Sequence, residues 1–543
     1  MENKNTVVAL ILMLIVWTGF TYLFPPKQQS TVASSKSISK VTSESSYKQS
    51  QKKLNIDDDK SNVNLVETVK TLPSDVSGNE VKFIDIENSL YKIRLSSKGA
   101  SIVSFLTKKY KKTNSSDKEL VSLVDKKNIS GATRITGSGD FDISDNYVYS
   151  VKSNCSGKID KECSIIFYGK NNNGMLVDII YTFYPNSYKI GYSIVLKNTD
   201  IRSKSGSLVF SLRSLHHKQK KPASFQFVGP VCFADEKLNK VDFDDLSEKS
   251  PVYSEGIEWA GYETKYFLKA AVADTKVVDK ISFTAQNNLV FDDFHIPTFK
   301  LDSTQSFHSD FILFFGPKEI NALSAVGHNL SKVIDFGFFK IIAEPLHFVL
   351  NFFYKYVGNY GIAIILLTII IKVIFWPLTQ KSYVSMREMQ VIQPEMKKLR
   401  ERFAGDKEML NKKMMELYKE HHVNPLGGCL PMLIQIPVFF ALYKVLLDTI
   451  ELRHAPFAFW ITDLSLKDPY YVTPIIMGIT MFIQQKLSPS SMEPMQAKLM
   501  MAMPVVFTFM FLNFPSGLVI YWLVNNLLTI LQQYFIFKKY KSA

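Results

Sequence analysis

The 543-residue chain contains no GxxxxGK[ST] phosphate loop, no GxSxG nucleophile turn and no HExxH helix. Nucleotide hydrolysis and the common hydrolase chemistries therefore lack their sequence hallmarks, and the chain does not read as an enzyme. Four cysteines are too few for a disulfide scaffold, and none stands at metal-ligand spacing. The pairs His216-His217, beside Lys218, Lys220 and Lys221, and His421-His422, ending a charged helix, read as solvated surface. No cofactor and no metal is expected. With 24 Gly and 22 Pro the chain is neither collagenous nor of low complexity throughout. A mean hydropathy of +0.01 fits neither a soluble nor a membrane protein, so the distribution of apolar residues decides.

They are concentrated. Val7 to Phe24 is apolar without a charge and is followed by Pro25-Pro26-Lys27 rather than a small-residue cleavage site, which favours an uncleaved signal anchor (1–26). Residues 27–80 are rich in Ser, Lys, Gln, Asp and Thr and read as a flexible linker. Residues 81–335 show short period-two runs, among them Tyr91 to Leu95, Val177 to Phe183, Ile190 to Leu196 and Ser207 to Leu212, bounded by Gly, Asn, Asp and Ser. That pattern predicts antiparallel sheets with one wet face, most simply a large β-sandwich. Cys155, Cys163 and Cys232 fall in this domain. Cys155 and Cys163 flank a short polar stretch and are open to pairing across a hairpin or to remaining free thiols.

The last 200 residues change character. Aromatic-rich residues 336–356, broken by Lys340, Glu344, Pro345 and Lys355, predict an interfacial amphipathic helix; the alternative is an extension of the next span. Apolar runs follow at Val357 to Leu378, Leu426 to Leu447, Tyr470 to Gln485, Leu499 to Phe514 and Leu518 to Phe537. With the anchor these make six spans, five of them in a core of 357–537. The loop from Thr379 to Pro425 carries ten Lys/Arg against seven Asp/Glu, a net of 10 − 7 = +3, and the tail 538–543 adds Lys538, Lys539 and Lys541. Asp448 to Pro469 carries 2 − 4 = −2. The basic segments belong inside, so both termini are expected in the cytoplasm and the β-domain in a periplasm-like space. The basic balance is thus a topology signal, not one for DNA.

Lys372 is the sharpest single feature. It sits in LLTIIIKVIFWPL with no acid nearby in sequence, and a charge at the bilayer centre costs about 2.5–3.5 kcal/mol on insertion scales. Snorkelling to the interface is the bland alternative. Amides on other spans, namely Gln435, Gln484, Gln485, Asn525, Asn526, Gln532 and Gln533, favour a shared wet groove instead; Thr368 lies on the Lys372 face, and Tyr521 or Trp522 on that of Asn525 or Asn526. In the cytoplasmic hairpin of 380–425, Met386, Met389, Ile392, Met396, Leu399 and Phe403 recur at three- or four-residue steps, and Leu410, Met414 and Leu417 resume after Gly405-Asp406. Self-packing and an adaptable surface receiving apolar nascent chains both suit such a stripe.

The blocks NPLGGCLPMLIQIPVFFALYKVL (Asn424 to Leu446), ELRHAPFAFWITDLSLKDPYYVTPIIMGITMFIQQKLSP (Glu451 to Pro489) and FPSGLVIYWLVNNLLTILQQ (Phe514 to Gln533) closely resemble the YidC/Oxa/Alb family of membrane-protein insertases, in its Gram-negative form with a large periplasmic domain. The resemblance implies an inner-membrane insertase and chaperone with a hydrophilic groove open to cytoplasm and lipid. It places Lys372 at the groove's positive position, where familiar members carry Arg, and Thr368, Gln435, Tyr521 and Trp522 at or beside substrate-contact positions. It implies nascent inner-membrane proteins, membrane lipid, the Sec translocon and, weakly given the short tail, the ribosome as partners. Two rival classes remain: an ion or small-solute transporter, for which neither inverted repeats nor paired charges are found, and a periplasmic binding module on a passive anchor, which leaves five polar-studded spans unexplained.

Overall fold

Period-two alternation turns most of residues 83–317 into strand. The computed structural model describes residues 80–112, 119–124, 131–144, 146–217, 227–248, 250–423, 430–487 and 494–541. The expected anchor, the linker up to residue 79 and Cys429 lie outside them. The strands are β1 (Phe83–Glu87), β2 (Tyr91–Ser96), β3 (Ser101–Lys111), β4 (Leu120–Val124), β5 (Thr133–Gly137), β6 (Ser150–Ser153), β7 (Cys163–Lys170), β8 (Leu176–Phe183) and β9 (Lys189–Lys197). They continue with β10 (Lys204–Leu215), β11 (Gly229–Ala234), β12 (Lys237–Lys240), β13 (Val252–Tyr253), β14 (Trp259–Glu263), β15 (Phe267–Val272), β16 (Lys280–Gln286), β17 (Leu289–Leu301) and β18 (Ser306–Pro317).

Three sheets result: β1-β2-β3-β4, β13-β16-β17-β10-β5, and a nine-stranded β12-β11-β14-β15-β18-β9-β8-β7-β6. The two larger sheets share one core. Tyr192 and Phe311 of the nine-stranded sheet each meet Phe210 of the five-stranded sheet, with ring centroids 4.7 Å apart. The small sheet closes one end, where Phe105 packs edge-on to Phe315 at 5.5 Å. Strands β7, β8 and β9 alternate buried and half-exposed residues as expected, but β11, β14 and β15 are buried throughout. Residues 320–333 explain part of the difference, since Leu323, Leu330 and Val333 join the core and the Lys332 ammonium sits 4.8 Å over the Phe233 ring. Cys155 and Cys163 are disulfide-bonded, with Cα atoms 5.2 Å apart, and Cys232 is a buried free thiol.

Eight helices of ten or more residues follow among the described residues: α1 (Lys340–Val357), α2 (Tyr360–Val391), α3 (Gln393–Arg402), α4 (Lys407–Glu420), α5 (Leu430–Asp448), α6 (Val472–Leu487), α7 (Pro494–Phe511) and α8 (Ser516–Lys541). Gly358 ends α1 in the left-handed region (φ +65), and the Asn359 side chain accepts from the Ile362 amide to start α2, so the chain turns sharply between them. Gly478 lets α6 and α7 approach, because a Cβ there would lie 2.0 Å from Thr508 Oγ1. Two described helices, α2 and Ser516–Lys538 of α8, are long and apolar enough to cross a membrane; α6 has only 16 residues and α7 has 18. The architecture is therefore a β-rich domain followed by apolar helices, and the expected six spans exceed the two that length and composition establish.

Candidate functional site

Helix α8 is built inside out. At about 100° per residue, Tyr521, Trp522, Asn525, Asn526, Thr529, Gln532 and Gln533 fall on one arc of roughly 140°. Leu527, Leu531, Tyr534 and Phe535 lie on the opposite side and are exposed, while Asn525, Asn526, Thr529, Gln532 and Gln533 are buried. A water-soluble helix reverses that order. Exposed Ile, Val and Trp side chains at Ile362, Ile369, Ile370, Val373, Ile374 and Trp376 give α2 a matching oily outer face.

The polar arc faces α2, α5 and α6. Lys372 on α2 reaches across, its Nζ donating to Thr529 Oγ1 at 2.7 Å, and the Thr529 hydroxyl in turn donates to the Asn525 carbonyl at 2.7 Å. No carboxylate accompanies Lys372 among the described residues. The hydroxyl of Tyr383, farther along α2, engages Thr529 and Gln533. Gln532 Nε2 donates to Thr379 Oγ1 at 2.8 Å, and Asn526 Nδ2 reaches Thr480 Oγ1 on α6 at 3.3 Å. Gln435 on α5 lies beside the Tyr521 hydroxyl. Hydrogen-bonded polar groups thus link three helices, α2, α6 and α8, whose outer faces are apolar, and Gln435 brings α5 alongside.

The expected residues divide. Lys372, Asn525 and Asn526 join the linked network, and Gln435 lies beside Tyr521, whose buried hydroxyl has no hydrogen-bond partner among the described residues. Thr368 is buried one turn from Lys372 but spends its hydroxyl on the Ile364 carbonyl of its own helix, at 2.6 Å. Trp522 is half-buried among rings, 4.8 Å from Phe439 and 5.4 Å from Phe511. The sequence reading overlooked Thr529, Thr379, Tyr383 and Thr480. Thr529 carried a usable signal, since it stands four residues after Asn525 and four before Gln533.

The hairpin differs in its boundaries. Met386 and Met389 belong to the end of the unbroken 32-residue α2, and the hairpin proper is α3 and α4, with Asp406 capping α4 by accepting from the Met409 amide at 3.0 Å. Met389, Ile392, Met396, Leu417 and Val423 form a small core, with Met414 packed against it. Met386 and Phe403 are half-buried, and the well-exposed methionines are Met409 and Met415.

A second contact region joins the β-domain to the loop after α5. Arg453 donates to the carbonyls of Lys111 and Lys112 at 2.8 and 3.1 Å, with its guanidinium over the rings of Tyr266 and Phe267. Ile450 is buried between Tyr110 and Phe267. Beside it, desolvation pushes the Glu451 carboxyl up to about 7; a backbone hydrogen bond opposes this, the neighbouring Glu319 carboxylate adds to it, and Lys109 pulls weakly the other way.

Comparison with known proteins agrees with this layout. The family profile described as "YidC periplasmic domain" matches residues 83–349, and that described as "60Kd inner membrane protein" matches residues 352–543. A membrane protein insertase YidC of Geotalea uraniireducens (strain Rf4) is 41% identical over 546 residues, covering 99% of this chain and all of its own length. The chain belongs to the YidC insertase family. Another member, membrane protein insertase YidC of Geobacter metallireducens, is 41% identical over 545 residues, covering 100% of this chain and 99% of its own length. Among solved structures, an active YidC insertase with its first transmembrane domain resolved covers 85% of this chain at 16% identity, with a TM-score of 0.36. YidC is a family of insertases rather than of enzymes, and its members named here are membrane proteins.

Proposed function

We propose that this protein inserts nascent proteins into the inner membrane and helps them fold, using the polar network around Lys372 as a groove part-way into the bilayer. One observation carries this: an ammonium with no carboxylate partner among the described residues is held between α2 and α8, whose opposite faces are oily. Such a cation costs insertion energy unless it faces a wet interior, and there it offers a transient partner to the acidic residues of a crossing segment. The groove shortens the apolar distance that a polar tail must traverse. Partitioning of the client's own helix then drives the step, and the membrane potential adds about 2.3 kcal/mol per charge per 100 mV. Lysine supplies charge without the planar fork of arginine, so charge rather than bidentate pairing is the requirement.

In this proposal the chain spans the membrane six times with both termini in the cytoplasm, the β-domain is periplasmic, and α1 lies along the outer interface. Met386, Phe403 and Met414 contribute to a cytoplasmic surface that receives clients, and Met389 and Met396 hold that surface in shape. The Sec translocon and the ribosome are expected partners. Complementation of cells depleted of their own insertase, scored by insertion of a small client with an acidic exported tail, tests the groove. Lys372→Arg retains insertion and Lys372→Ala loses most of it; normal insertion by Lys372→Ala would sink the charged groove.

A further inference from the structure

Between α1 and the foot of the β-domain lies a cavity of about 430 Å³ whose walls do not belong to the groove. Lys332 comes from the β-domain foot, Glu451 from the loop after α5, and Lys340, Glu344, Phe348 and Asn351 from one side of α1. On α1 those positions repeat at steps of three or four residues, so a single helical stripe lines the cavity. The neighbouring stripe is oily and uncovered: Ile341 is 86% exposed, Phe348 71% and Tyr356 72%. Phe348 belongs to both stripes, and the cavity is therefore continuous with the surface that α1 turns toward lipid.

The charges in the wall are mixed. Two lysines, Lys332 and Lys340, and two carboxyl groups, Glu344 and Glu451, line it; Lys340 and Glu344 are 3.5 Å apart, and the Lys332 ammonium rests over the Phe233 ring. A purely anionic ligand gains from the lysines and loses against the glutamates. A zwitterion with a phosphodiester beside a primary ammonium meets both sets, and the Asn351 amide adds a neutral donor. Cavity volume, charge pattern and the adjoining apolar stripe agree on one occupant.

We propose that this cavity seats the headgroup of an outer-leaflet aminophospholipid, its phosphate on Lys332 and Lys340, its ammonium on Glu344, and its acyl chains running down past Phe348. The seat rests on the interfacial position of α1 proposed above. It would fix the β-domain foot to the bilayer surface through a lipid, while Arg453 joins the domain to the loop after α5.

The test is lipid retention by the purified full-length protein, read by native mass spectrometry after adding phosphatidylethanolamine, phosphatidylglycerol or phosphatidylcholine with matched chains. Wild type retains one phosphatidylethanolamine about tenfold better than phosphatidylcholine, whose methylated ammonium cannot donate to Glu344. The K332E/K340E variant loses that retention, and Glu344→Lys shifts preference to phosphatidylglycerol; both replace exposed side chains, and unchanged thermal unfolding certifies the fold. Equal retention of the three lipids by wild type, or unaltered phosphatidylethanolamine retention by K332E/K340E, overturns the proposal. So does displacement of the lipid by millimolar inorganic phosphate, which would mark a solute site. A spin label on Ile341→Cys separates the underlying assumption. If the label is in water, the interfacial placement fails and takes the seat with it; if it is in lipid and no phosphatidylethanolamine is held, the seat alone fails.

Discussion

Thr529 and Glu451 show how single residues set the behaviour of this protein. A hydrogen bond from an ammonium is worth about 1.5–3 kcal/mol, and Thr529 accepts one from Lys372 while its own hydroxyl is tied to the α8 backbone. Thr529→Val keeps the volume and removes that acceptor. Clients with acidic exported tails should then insert about fivefold to tenfold more slowly, clients with neutral tails at the normal rate, and Thr529→Ser should restore the first group. An equal loss for both client types would instead indicate simple loosening of the α2–α8 contact. Glu451 concerns stability. Its folded-state pKa is raised, so the folded protein disfavours the carboxylate: stability is greatest below the unfolded value of 4.5 and declines as pH rises toward 7. Glu451→Gln removes the penalty. The variant should match wild type in thermal unfolding at pH 5 and exceed it at pH 8 by on the order of 1 kcal/mol, after allowance for solvent screening.

At the scale of elements, the hairpin shows that a methionine stripe can be mostly internal packing. Met396 is 2% exposed whereas Met415 is 53% exposed. Met396→Ala should cost about 2–3 kcal/mol of hairpin stability, seen as faster amide exchange across α3 and α4, whereas Met415→Ala should leave exchange unchanged. Periodicity made both helices legible in the sequence, but could not say where α2 ended, because nothing between Lys372 and Val391 breaks a helix whose Pro377 is tolerated. The strands were similarly clear wherever one face is wet, as in β7 to β9. They were misjudged where a later segment covers the second face, as residues 320–333 do for β11, since alternation disappears when both faces are buried. For the groove, Lys372 and the amides were visible because such groups are out of place in apolar runs. Thr529, Thr379 and Thr480 were not, since a threonine in an apolar helix is commonplace and its importance comes from what stands opposite.

For the whole molecule the issue is how tightly two parts of opposite character are joined. The β-domain has its own core, and among the described residues the polar network around Lys372 uses no side chain from it. Their junction includes Arg453, Ile450 and the segment leading into α1. A guanidinium on two backbone carbonyls and two rings holds orientation more than it adds stability, because each contact is partly exposed to solvent. Arg453→Ala should therefore leave both parts folded while releasing the joint. Hydrogen exchange should quicken at Lys111, Lys112, Tyr266 and Phe267, protection within α2 and α8 should stay as it was, and insertion of acidic-tailed clients should change by less than about twofold. Loss of insertion on this substitution would mean that the β-domain's orientation feeds into the groove. Removal of much of residues 81–320 would then abolish activity, whereas independent parts predict a truncated protein that still inserts its clients.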